Sequence, residues 1–109
     1  MNTPTPATGA DMEALAAAGW DFRALVGLVT EVDKDRNRVQ MALNEMTSIG
    51  LTDPEARVRL YLAARIELAR TTGTYLGVAI SPGPWRDQVY EVSFDPASGQ
   101  EPTVTVTAC

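Results

Sequence analysis

Between Thr52 and Arg70 the chain carries two folding signals that contradict each other. Thr52-Asp53-Pro54-Glu55 reads as a helix start. An Asp side chain can accept from the first free N–H groups, proline at the first helical position loses nothing by lacking a donor, and Glu55 meets the positive end of the helix dipole. Alanine, leucine, arginine and glutamate then dominate as far as Arg70, all good helix formers. Yet Ala56, Val58, Leu60, Leu62, Ala64, Ile66 and Leu68 fall on even positions, while Arg57, Arg59, Arg65 and Glu67 fall on odd ones. That is the period of a half-buried strand. Wound into a helix, the same charges scatter over several faces, which suits only a helix with little exposed surface to spare. The cap and the alanine content decide for a helix over about 54–71. The other reading is a four-stranded antiparallel sheet running to the C-terminus.

Upstream, residues 1–9 are Thr, Pro, Asn, Ala and Gly around one Met, a flexible lead-in to a single domain over 10–109. Asp11 is expected to cap a short helix through about Ala18, with Gly19 as its stop. Asp21 reads as the next cap. From there Phe22, Leu25, Val29, Val32, Val39, Leu43 and Met46 recur in steps of three or four, with one turn missing at Arg36. The pattern predicts an amphipathic helix over about 21–48, roughly 40 Å long at the standard rise, forming a helical hairpin with 54–71. A rival reading makes Gly27–Val32 and Val39–Leu43 two strands joined by a turn at Asp33–Arg38. The helix-forming run Met41–Met46 speaks against it.

Past Gly73 the composition changes. Thr74–Ile80 favours a strand, Ser81-Pro82-Gly83-Pro84 a loop, and Val89–Phe94 and Thr103–Thr107 alternate with β-branched residues about a turn-rich Asp95–Gln100. The expected fold is therefore α+β: a short helix, a helical hairpin, then an antiparallel sheet of two or three strands at about 74–80, 88–94 and 103–108. An isolated hairpin is marginal in water, so the sheet must pack on the helices.

Composition removes much chemistry. The sequence has no histidine, hence no Ser-His-Asp or Cys-His arrangement and none of the usual zinc sites. Its one cysteine, Cys109, cannot form an internal disulfide. No glycine-rich phosphate loop is visible, and no cofactor, metal or catalytic residue is expected. Asp33, Asp35 and Asn37 have the opening spacing of a calcium loop, but Arg38 and Asn44 stand where glycine and glutamate belong. Glu31 with Asp35, and Asp87 with Glu91, are carboxylate pairs at a spacing that solvation explains equally well. Lys34, the one lysine, lies between two aspartates that favour its charged form. A formal charge of -5 repels nucleic acid. No apolar run suits a membrane span and the N-terminus lacks the basic start of a signal peptide, so the cytoplasm is the expected compartment.

What is left points to recognition. Trp85 and Arg86, on a proline-stiffened loop, have the chemistry of an interface hot spot. The long stripe at Val32, Val39 and Leu43 is more than a small core would cover, and self-association of two such helices would bury it. The expected function is a non-enzymatic protein–protein interaction module (an adaptor, chaperone-like or regulatory subunit) that forms a homodimer and binds another protein. One alternative is a small-molecule site or a His-free isomerase or lyase, with a pocket between helices and sheet lined by Tyr61, Tyr75 and Tyr90; it requires a buried carboxylate of raised pKa. Another is a structural subunit of the phage or capsid type, which would assemble into discrete rings.

Overall fold

The computed structural model describes residues 7–81 and 88–108. Four helices, α1 (Gly9–Ala17), α2 (Phe22–Val32), α3 (Arg38–Ser48) and α4 (Pro54–Thr72), precede three strands, β1 (Leu76–Ile80), β2 (Gln88–Phe94) and β3 (Thr103–Ala108). The α+β class and the strand positions match the expectation, with β1 two residues shorter at its start.

α4 resolves the conflict of signals in favour of the helix. Asp53 caps it through a bond from the Glu55 N–H, Pro54 opens it, and Gly73 closes it at φ 71°, a left-handed conformation that glycine adopts without strain. Ala56, Val58, Leu60, Tyr61, Leu62, Ala63, Ala64, Ile66 and Ala69 are all buried. At 100° per residue these positions encircle the helix, so no single apolar stripe exists for periodicity to detect. The enclosure comes from both sides: α1, α2 and α3 pack on α4, and so do β1 and β2.

The single helix expected over 21–48 is two helices of eleven residues, each about 16 Å long. The break falls on the charged run at the missing turn of the stripe. Asp35 accepts the Asn37 N–H at 2.7 Å, and the Asp35 and Arg38 N–H groups bond to Val32 and Asp35 carbonyls. These short-range bonds compete with helix continuation. The turn belongs where the strand reading put it, but it joins helices. Folding back brings Leu25, Val29 and Val32 of α2 and Ala42 and Met46 of α3 into one core around α4, where a straight helix would carry half of them past it. The first helix also differs from expectation in its cap. Thr8, not Asp11, is the N-cap, and Asp11 is the third helical residue, its carboxylate reaching back to the Thr8 N–H in a capping box.

The sheet is antiparallel in the order β1-β2-β3. Leu76, Val78 and Ile80 lie opposite Phe94, Val92 and Tyr90, and Tyr90 and Val92 opposite Val106 and Val104, so these eight share the face turned towards α4. Gly77, Ala79, Val89, Glu91, Ser93, Thr103, Thr105 and Thr107 lie on the other. A 3-10 turn at Pro96–Ser98, capped by Asp95 and ended by Gly99 at φ 76°, connects β2 to β3.

Enclosure of α4 makes its side chains the most costly to truncate. Leu60→Ala, at a fully buried position, should lower the unfolding free energy by about 2–5 kcal/mol. Urea titration followed by circular dichroism measures it; a loss below about 1 kcal/mol would mean that α4 is not packed on all sides.

Candidate functional site

The capping box at the start of α1 does more than end a helix. It holds the Asp11 carboxylate, only 4% exposed, between the Thr8 N–H at 2.9 Å and the guanidinium of Arg59 on α4. Arg59 Nε donates to Oδ2 at 2.7 Å and Nη2 to Oδ1 at 2.9 Å, a two-pronged pair. Its remaining nitrogen donates to the Tyr90 hydroxyl on β2 at 3.3 Å, and Glu55 stands 3.8 Å away. One guanidinium thus ties together α1, α4 and the sheet. Burial alone would push the Asp11 carboxyl up. The Arg59 hydrogen bonds, the Thr8 backbone donor and the attraction of the Arg59 charge outweigh it, and the group is held below the ordinary 3.8. Arg59 is raised in turn, chiefly by its hydrogen bond to Asp11. A carboxylate kept ionised in this way is a staple and no proton donor.

A second arginine of α4 plays the matching part at the other end. Arg65 Nη1 donates to Asp33 Oδ1 at 2.9 Å and to the Tyr61 hydroxyl at 3.2 Å, and its guanidinium carbon stands 5.9 Å from the Tyr61 ring centroid. Asp33 follows α2, and Arg38 approaches its same oxygen at 3.8 Å, so the turn between α2 and α3 is anchored to α4. Beside it opens a cleft of about 270 Å³ lined by Thr30, Asp33, Lys34, Arg65, Leu68 and Tyr75 among others.

The residues expected at functional positions are not gathered in one place. Tyr61 is buried beside Arg65, Tyr90 is buried beside Arg59, and Tyr75 is exposed on the cleft. Only Tyr75 lines that cleft. Val32 is inside the core at 8% exposure, and Val39 and Leu43 are half-buried against it. Most of the apolar excess attributed to one helix over 21–48 is therefore taken up by the core once that helix is folded in two. Trp85, Arg86 and Asp87 lie outside the described residues. Asp33 and Asp35 serve the turn, the first facing arginines and the second the Asn37 N–H.

Met12, Met41, Tyr75 and Val106 are the large apolar side chains left exposed among the described residues, and Val106 lies at the open edge of the sheet. A helix is about 10 Å across and strands are about 4.8 Å apart, so one helix roofs about two strands. α4 packs on β1 and β2, and β3 extends beyond it. Val106 is accordingly 51% exposed although its neighbours across β2 are buried, and Val104 is half-buried. The far edge of β3 has no partner strand among the described residues. Its sequence Thr103-Val104-Thr105-Val106-Thr107 contains no charge and no proline, two of the devices by which edge strands are usually protected from pairing.

The sequence reading missed both arginine networks. Thr8-x-x-Asp11 is a spacing that fits a capping box, and it alone was a usable signal; the choice of Asp11 for Arg59, across 48 residues, has no local signature. No family model matches the chain, and no curated protein or solved structure matches it either.

Removing one member of a buried pair strands the other, so Asp11→Ala should cost about 3–5 kcal/mol in a denaturant titration. The pH dependence has a definite sign. Because the folded value of Asp11 lies below 3.8, the pair's contribution is whole above that value and is lost as pH falls from there through the folded value. Stability of the wild type should fall across that window, and that of Asp11→Asn should fall less steeply; equal slopes would contradict an ionised Asp11.

Proposed function

We propose that the protein is a non-enzymatic protein–protein interaction module that associates with itself through the uncovered edge of β3. The observation that carries this reading is the half-exposed Val106 on a neutral, unguarded edge strand. Edge strands recruit other strands through backbone hydrogen bonds, and alternate side chains on the covered face supply the apolar contact. The self-association surface moves accordingly from Val32, Val39 and Leu43, which pack inward, to β3. An adaptor or regulatory subunit needs no catalytic group, and a partner's strand can use the same edge. Trp85 and Arg86 stay candidate contacts for such a partner on their chemistry alone. The net charge of -5 disfavours nucleic acid as that partner. Among the described residues no helix is long and apolar enough to cross a membrane, and the cytoplasm is the compartment we favour.

A small-molecule reading would use the cleft beside Lys34, Arg65 and Tyr75. At about 270 Å³ it lies just below the roughly 300–1,000 Å³ of sites that enclose a drug-sized ligand. A second cavity of about 440 Å³ between α1 and the start of α4 falls within that range, but Asp53 is the one charged residue in its lining. A carboxylate-based lyase or isomerase would need a buried acid of raised pKa, and the buried acid among the described residues, Asp11, is lowered. The interaction reading draws the stronger support.

Light scattering over a wide concentration range tests it. The apparent mass should rise from 11.7 kDa towards twice that value, and Val106→Lys should weaken the association at least tenfold while changing stability by no more than about 0.5 kcal/mol, as for other exposed positions. A clean monomer at every concentration would contradict self-association and favour the cleft. Discrete rings would favour a structural subunit.

A further inference from the structure

We infer that two copies pair antiparallel along β3 about a two-fold axis passing through Thr105, fusing two three-stranded sheets into one of six strands. The inference rests on the self-association reading and adds a register to it.

The register follows from parity. In an antiparallel pair related by a two-fold at residue k, residue k+n of one copy lies opposite residue k−n of the other. A centre on a residue pairs even positions with even and odd with odd. A centre between residues would set valine against threonine and turn the two inner faces to opposite sides. Centring on Thr105 gives the longest match within Thr103–Thr107. Thr105 faces Thr105 of the second copy, Val104 faces its Val106, and Thr103 faces its Thr107. Threonine meets threonine on the outer face and valine meets valine on the face shared with α4, both favourable cross-strand pairs. The alternation of backbone donors and acceptors is met whether Thr105 itself or its two neighbours bond outward, because opposed residues always have the same parity.

Three observations favour a second copy at this edge. Each chain carries a net charge of -5, which opposes the approach of two copies, and the repulsion is least along β3, because residues 102–108 carry no ionisable side chain. Pairing at β3 covers Val106, which is half exposed. The opposite edge, β1, is also neutral, but on its inner face Leu76 and Ile80 are buried and Val78 is partly buried, so a strand added there covers less of that face. Tyr75, exposed beside β1, lines the cleft. The axis stands perpendicular to the sheet, and the helices of both copies lie on one side of it, with the four valines lining the floor between them.

Cysteine cross-linking reads the register directly. In a Cys109→Ser background, Thr105→Cys should form a disulfide-linked dimer under mild oxidation. Directly opposed Cα atoms are about 4.5–5.5 Å apart, within the span that a disulfide bridges. Thr103→Cys or Thr107→Cys alone should not cross-link, since each lies four residues, roughly 13 Å, from its own copy. An equal mixture of the two should. These three positions are exposed, so folding is not at stake, and light scattering of the untreated protein runs alongside. A dimer with this pattern supports the inference. A dimer that cross-links at Thr103 or Thr107 alone, or at none of the three, overturns the register while the self-association reading stands. A monomer at every concentration overturns both. Pairing with a strand of a different protein would show as a monomer that saturates with that strand, and would likewise overturn the two-fold.

Discussion

A helix buried on every side has nowhere to put its charges, and that constraint organises this domain. Apolar side chains of α4 fill the space between the other helices and the sheet, while its arginines reach to the margins and take partners there. Arg57 donates to the Leu51 carbonyl at 2.6 Å, Arg59 to Asp11, Arg65 to Asp33. Arg70 stacks on the Phe94 ring at 5.2 Å. Each arginine thus fastens a different neighbouring segment: the lead-in to α4, α1, the α2–α3 turn and β2. Long side chains that bury their stems and send their heads outward are well suited to this, and the planar guanidinium can satisfy two or three acceptors at once. Asp11 shows the limit of the device. It is deep enough that its charge would be costly if unpaired, and it is tolerated because every donor it needs is fixed in advance by α1 and α4.

The same geometry explains why the sheet is left open. One helix layer is narrower than three strands, so whichever strand lies furthest from α4 keeps part of its inner face exposed. Here it is β3, at the end of the order. The fold itself therefore produces the surface on which the functional reading rests. The polar outer face, with its row of threonines, needs no cover of its own.

Much of the architecture was legible because local signals and tertiary context agree. Asp21, Asp53, Pro54 and Gly19 mark helix ends for reasons that operate within a few residues, and β-branched alternation marks β2 and β3. α4 was harder to read. Its alternating pattern is what results when two faces are buried by different layers and arginines occupy the seams, and no one-dimensional period encodes that. The α2–α3 break was visible as a missing turn at Arg36, but its meaning depended on α4 being there to fold around. The candidate site was least legible. Tyr61 and Tyr90 were picked out as pocket-lining residues, and what that choice did not foresee is that their hydroxyls accept from Arg65 and Arg59. Long-range ion pairs are set by the packed fold, and the exposure of Val106 is set by how far α4 reaches; neither is a property of neighbouring residues.

Every other part of the domain depends on α4. Native-state amide hydrogen exchange under increasing denaturant tests this most directly. The N–H groups from Leu60 to Ile66 should exchange only through global unfolding, with an opening free energy equal to that of the domain, while those of α1 exchange through smaller openings. If the sheet kept its protection while the middle of α4 exchanged through local opening, α4 would not be the organising element of the domain.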